Sequence, residues 1–290
     1  MKLIHFFKLL TPPLIFRGFH YLRNHGLHIF EGSTEQIFLS GNYRKWDEAI
    51  AASTGYDSEI ILEKTKTALL KVKNGEAVFE RDSVLFNEIQ YAWPLLAGLM
   101  WVAARSSGRL NVLDFGGSLG STYFQNRRFL QQLPSVRWNI IEQPRQVEVG
   151  KVDFENKHLK FYGDINACLA ETQPNVIVLS GVLQYLEQPF DVLRILLASP
   201  CNHLIVDRTP FWDGPEDRLC VQYVPASIYP ASYPSWIFSL HSFRTFLNEG
   251  WEIVAEFDNP DRLPGPVVFG YKGMFATHQD QVKSTHKSND

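Results

Sequence analysis

The sequence predicts an α/β fold: a Rossmann-like, seven-stranded sheet with helices on both faces, preceded by an N-terminal helical extension. Three observations predict it. From Leu110 onward, short apolar runs alternate with helical patterns, the texture of βαβ units feeding a parallel sheet. A glycine-rich turn, Asp114-Phe115-Gly116-Gly117-Ser118-Leu119-Gly120, joins the first run to a helical stretch that reaches Leu130. Acidic residues stand at the ends of three successive runs, as Asp114, Glu142 and Asp164.

In chain order, residues 1–108 read as a mainly helical cap. Its helical segments are Ala49 to Ser53, Glu59 to Lys73 with apolar residues at three and four spacing, and Phe86 to Ala104, bent or started at Pro94. Residues 109–276 carry the sheet. The expected strands are 111–114, 136–142, 159–162, 175–180, 203–207, 251–257 and 269–275. Between the fifth and sixth lies 208–241, rich in proline and aromatics and too long for a simple connection, expected as a substrate-side loop. Residues 277–290 are polar and read as a disordered tail.

Composition narrows the function classes. A chain of 290 residues, 45% hydrophobic, buries one large core or one core with an appendage. With 28 basic against 31 acidic residues and no basic stripe, the footprint of a nucleic-acid binder is missing, and no nucleic-acid partner is expected. Cys168, Cys201 and Cys220 are far apart and lack histidines at ligand spacing, so they are expected as free thiols, with no metal site. No apolar run spans a bilayer, and the N-terminus lacks the plan of a signal peptide. A cytoplasmic protein is the expectation. Residues 1–19 mix basic and aromatic side chains, which suits either a peripheral membrane contact or docking on the protein's own core. Oligomeric state is unreadable.

Glycines at a strand-to-helix turn let the backbone approach a ligand closely and present amides to it. Asp114 immediately before them repels a pyrophosphate and attracts an ammonium. An acid at the end of the second strand, Glu142, with its neighbour Gln143, suits ribose hydroxyls. Asp164 can face an adenine amino group while Ile165 packs on the ring, and Ser180-Gly181-Val182 after the fourth strand floors the other side.

These pieces resemble the glycine motif, the two acidic strand ends and the post-strand-four motif of class I S-adenosylmethionine-dependent methyltransferases, over about Leu110 to Phe190. The seven strands, closing in a hairpin-like pair, match that family's sheet. The strings Glu80-Arg81-Asp82-Ser83, Leu183-Gln184-Tyr185-Leu186, Asp207-Arg208-Thr209-Pro210-Phe211 and Tyr229-Pro230-Ala231-Ser232-Tyr233-Pro234 are similar to a bacterial family of methyltransferases linked to surface-polysaccharide clusters. The resemblance implies S-adenosyl-L-methionine as cofactor, held by Asp114, Gly116, Gly117, Ser118, Gly120, Glu142, Gln143, Asp164, Ile165, Ser180, Gly181 and Val182. Ser118 departs from the family, which has glycine there; a serine can still donate to the methionine carboxylate.

Methyl transfer needs a positioned acceptor and, for a hydroxyl, a base within reach. Asp207 at the tip of the fifth strand is the first candidate base, or else pairs with Arg208 or Arg218. His241 is a second candidate, or caps the helix beginning there; Tyr185 lines the channel or packs under the following helix. Arg208 and Arg218 suit an anionic group, and Tyr229, Tyr233 and Trp236 suit a saccharide or another ring. The absence of an Asn/Asp-Pro-Pro-Tyr string after strand four favours oxygen over amide nitrogen. Two other classes compete: a non-catalytic protein on the same fold, and a nucleotide-dependent oxidoreductase, which Asp114 and Phe115 before the glycines disfavour.

Overall fold

The computed structural model describes residues 36–55, 58–226, 228 and 230–279. The N-terminal segment 1–19, Tyr229 and the tail from residue 280 lie outside the described residues. Strand β1 (Phe38–Tyr43) and helices α1 (Trp46–Ala51) and α2 (Ser58–Asn74) come first. A small hairpin of β2 (Phe79–Arg81) and β3 (Val84–Phe86) precedes α3 (Trp93–Arg105). The alternating part runs β4 (Arg109–Phe115), α4 (Ser121–Leu130), β5 (Ser135–Ile141), α5 (Pro144–Val149), β6 (Leu159–Tyr162), α6 (Ile165–Glu171), β7 (Val176–Ser180), α7 (Pro189–Leu197) and β8 (His203–Trp212). Then follow β9 (Arg218–Val224), β10 (Ala231–Ser239), α8 (Leu240–Asn248), β11 (Trp251–Asp258) and β12 (Gly270–His278).

The central order is β6-β5-β4-β7-β8-β12-β11. The first five are parallel, and β12 runs antiparallel to both β8 and β11. That mixed order, with one reversed strand slotted beside β8, is the sheet of the class I methyltransferase fold. It places the carboxyl ends of β4, β5 and β7 side by side, with Asp207 of β8 next to the end of β7.

The pattern of two explains the core. Val176 and Val178, with Val112 and Ile205, belong to a cluster that includes Leu69, Leu99 and Val102 from α2 and α3. Ile177 and Leu179, with Leu113, Leu204 and Val206, face a second cluster containing Leu193, Leu196, Phe243 and Leu247 from α7 and α8. Side chains alternate across a strand, so a strand covered on both faces reads as a continuous apolar run. Each such buried Val, Leu or Ile is worth about 1.5–3 kcal/mol. Of the alternatives at Pro94, the structure takes the start: α3 begins at Trp93 with Pro94 in its first turn, where a missing N–H costs nothing.

Two expectations are corrected. The segment 208–241 is not a loop. It completes β8 and then forms a β9–β10 hairpin, with register Tyr233↔Gln222 and Ser235↔Cys220. Where β7 ends, opposite Asp207, β8 continues to Trp212, and β10 pairs with it at Phe211 and Trp212. Pro234, which argued against a strand, lies where β10 pairs only with β9, so its missing N–H breaks no ladder. The N-terminal zone is not only helical either: β1 pairs antiparallel with β9, and β2–β3 is a separate hairpin turning through Asp82 and Ser83, both at positive φ.

Candidate functional site

The glycine loop leaves β4 at Phe115. Gly117 lies so close to the Asp114 carboxylate that a Cβ there would overlap it, and a Cβ on Gly116 would overlap Val182 of the turn after β7. Gly120 caps α4 at φ +103°, a conformation that only glycine adopts without strain. Ser118 sits at φ +53°, in the left-handed region that favours glycine. Its backbone N–H, rather than its hydroxyl, makes the local bond, donating to Glu142 Oε1 at 3.0 Å.

The three acids meet different fates. Asp114 is 1% exposed, and its Oδ2 accepts the Trp138 indole N–H at 2.8 Å. Burial, with the Glu142 charge nearby, pushes its carboxyl up to about 7. Glu142 accepts from Ser118 and, through Oε2, from the Gln143 N–H at 2.8 Å; burial raises it too. Asp164 is exposed and caps α6, accepting from the Ala167 N–H at 2.8 Å, with Ile165 half-buried against the second core cluster.

The turn after β7 links the loop to Asp207, midway along β8. Val182 touches Gly116, the Gly181 N–H donates to the Asp207 carbonyl at 3.0 Å, and Ser180 Oγ donates to Asp207 Oδ2 at 3.2 Å. Asp207 is 1% exposed and also accepts from Asn259 Nδ2 at 3.3 Å. Burial raises its carboxyl despite the neighbouring Arg208 charge.

Arg208 does not make the ion pair considered for Asp207. Its Nε donates to Asp261 at 3.0 Å and its Nη2 to Asp82 at 2.6 Å, while Arg81 reaches Asp261 at 3.3 Å. Its fork is thus filled from within the protein, and those carboxylates hold it firmly protonated. Arg218 lies over the Trp212 ring, 5.0 Å from its centroid. The aromatic wall is divided by the strand period. Tyr233 turns toward Tyr185, rings 5.4 Å apart, and its hydroxyl accepts from Gln222 Nε2 at 3.1 Å. Trp236 stacks on Trp46 of α1, and its indole donates to the Leu186 carbonyl. The Tyr185 hydroxyl donates to Gln222 Oε1 at 3.1 Å, and desolvation of that hydroxyl pushes it up to about 12 although the residue as a whole is 37% exposed.

His241 is exposed in the first turn of α8, a helix that packs on β10 and β11, away from the glycine loop. The helix cap is Ser239, whose hydroxyl accepts from the Ser242 N–H. The capping reading of His241 therefore gives way, because the cap falls two residues earlier.

In the sequence Glu80-Arg81-Asp82-Ser83 reads as a cap that closes on the cofactor or as a plain helix start; the structure makes it the β2–β3 hairpin, not a helix start. Glu80 is 1% exposed on β2, and its carboxylate accepts from the Ser121 hydroxyl at the start of α4 and from the Ser83 N–H. Burial pushes it up to about 7. Asn259, Gln222 and Asp261 were missed; none sits in a motif, and only folding brings them to β8. Among the described residues no His, Cys, Asp or Glu group has the arrangement of a metal site, and no helix is long and apolar enough to cross a membrane. The three cysteines are free and buried.

No family model and no curated protein matches the chain. Among solved structures it is similar to the N-terminal domain of EvdMO1 crystallised with S-adenosylhomocysteine and D-fucose, at 12% identity and TM-score 0.45, over 77% of this chain and 97% of that one. It is also similar to an S-adenosylmethionine-dependent methyltransferase from Clostridium acetobutylicum, at 9% identity and TM-score 0.42, over 63% and 89%. A third is the glycopeptide N-methyltransferase MtfA with sinefungin, at 12% identity and TM-score 0.43, over 62% and 85%.

Proposed function

We propose that the chain is an S-adenosyl-L-methionine-dependent methyltransferase acting on a small-molecule or saccharide acceptor at oxygen, with 109–276 as its cofactor-binding part. The observation that carries this is the set of Glu80, Asp114 and Glu142 around one glycine loop, all with pKa values raised by burial. None of them forms an ion pair with a lysine or arginine among the described residues. Buried carboxylates without a cation favour a ligand that brings one. This cofactor carries an ammonium and a sulfonium against one carboxylate, so its charge is complementary. A pyrophosphate is not.

The residues fit the group. Gly116 and Gly117 let the loop pack tightly on Val182 and Asp114, Glu142 held at the loop by the Ser118 N–H is the carboxylate assigned to the ribose hydroxyls, and Gly181 and Val182 join the loop to Asp207. When bound, the cofactor supplies a methyl group activated on a sulfonium sulfur. The protein positions the acceptor and takes its proton. Asp207 is the base: its raised carboxyl is the stronger proton acceptor, and Ser180 and Asn259 fix its orientation. Tyr185, Tyr233 and Gln222 offer a ring face and hydrogen bonds to the acceptor. Asp164 and Ile165 take the adenine edge.

A non-catalytic role is the second reading, favoured by one observation: Asp207 already has two internal partners, as a structural carboxylate would. Thermal unfolding checks the cofactor reading. S-adenosylhomocysteine at a hundred times its dissociation constant stabilises by about 2.7 kcal/mol, a rise of several degrees. A shift with a nicotinamide dinucleotide instead would overturn it.

A further inference from the structure

Resting on that cofactor reading, we propose that Glu80, carried by the β2–β3 hairpin from outside the parallel sheet, is the residue that binds the ammonium of the cofactor's methionine moiety.

Asp114 and Glu80 are both 1% exposed, but Asp114, the acid the sequence points to, is covered by the loop itself. Its Oδ2 holds the Trp138 indole, and Gly117 lies directly against the carboxylate, so a ligand on the loop's outer side meets backbone before it meets Asp114. Glu142 is engaged by two backbone N–H groups and is already assigned to the ribose hydroxyls. Glu80 is the remaining carboxylate at the loop. It reaches Ser121, the first residue of α4 beyond Gly120, and its partners are a neutral hydroxyl and one N–H. Burial raises its pKa to about 7, so an arriving cation recovers ionisation energy that the free protein forgoes.

The hairpin is built to hold that carboxylate in place. Asp82 and Ser83 turn it at φ +51° and +70°. Its tip is fastened by Arg208 to Asp82, by Arg81 to Asp261, and by a 2.8 Å hydrogen bond between the Thr65 and Ser83 hydroxyls. Arg208 directly follows Asp207. The fastening thus ties the proposed ammonium site to the stretch of β8 at Asp207, where the acceptor is placed.

Calorimetric titration of the full chain with two ligands tests this. One is S-adenosylhomocysteine; the other is 4-(5′-adenosylthio)butanoate, which differs only in lacking the amino group. Glu80→Gln is expected to weaken the first at least tenfold, about 1.4 kcal/mol, and the second less than twofold. Equal losses, or none, would overturn the proposal and leave Glu80 as a purely structural contact. Glu80→Asp keeps the charge but shortens the reach, and serves if the Gln variant does not fold. It should narrow the preference for the amino-bearing ligand, and an unchanged preference counts against the proposal. Failure of the folded wild type to bind S-adenosylhomocysteine would sink the cofactor reading itself, a different outcome from either.

Discussion

The indole N–H of Trp138 donates to the carboxylate of Asp114 at 2.8 Å, joining neighbouring strands β5 and β4 beneath the glycine loop. Both residues are almost wholly buried. Removing the donor leaves a buried acceptor without a partner, which costs about 1–3 kcal/mol. Trp138→Phe is therefore expected to lower stability by at least that amount, since it also reduces packing volume. Urea unfolding reads it directly, and an unchanged midpoint would show that the hydrogen bond contributes nothing.

The same carboxylate makes stability depend on pH in an unusual direction. Asp114 rises from 3.8 to about 7 on folding, and Glu80 from 4.5 to about 7. Between about pH 4 and pH 7 the folded chain binds more protons at these sites than the unfolded chain, so their contribution falls as pH rises and levels off above about 7. Asp114→Asn keeps an acceptor for Trp138 but cannot ionise. From pH 5 to pH 7 its stability should gain on the wild type, by at most about 1.4 kcal/mol per pH unit. Parallel stability curves for the two proteins would contradict this.

Ser118 at φ +53° gives a backbone prediction. A left-handed non-glycine residue costs about 1–2 kcal/mol, and glycine returns about 0.5–1 kcal/mol of that through the freedom of its unfolded state. Ser118→Gly should therefore be neutral or stabilising by up to about 1 kcal/mol. Ser118→Val should destabilise. Since the backbone N–H makes the bond to Glu142, the glycine variant should keep its affinity for S-adenosylhomocysteine; a large loss would give the hydroxyl a role that its present contacts do not.

The two carboxylates on Arg208 should differ in worth. The Asp82 side chain is 62% exposed and that of Asp261 19%. An exposed pair contributes about 0–1 kcal/mol, whereas breaking a more buried one costs more. Asp261→Asn is expected to destabilise more than Asp82→Asn, and the Asp82 effect alone should fade in high salt. The reverse ranking in chemical denaturation would show that the hairpin tip is the stronger tie.

The central strands were legible because burial on both faces leaves them as uninterrupted apolar runs, as Val176 to Leu179 and Leu204 to Val206 show. The glycine loop was legible because Gly120 needs a conformation that few residues tolerate. The β9–β10 hairpin was hidden by Pro234, whose usual message is reversed where a strand pairs on one side only. The β2–β3 hairpin was hidden because its strands are three residues long and its turn uses Asp82 and Ser83 instead of glycine. In the site, the acids could be placed at strand tips but their partners could not. Trp138, Asn259 and Ala167 decide whether a carboxylate is sealed, orients a base or caps a helix, and only the fold brings them within reach.

The most direct test of the cofactor assignment is calorimetric titration of S-adenosylhomocysteine into the wild type and into Glu142→Ala. Binding in the micromolar range, about −8 kcal/mol, is expected for the wild type, with its loss in the variant. No heat of binding from a folded wild type, or equal affinity in Glu142→Ala, would contradict the assignment.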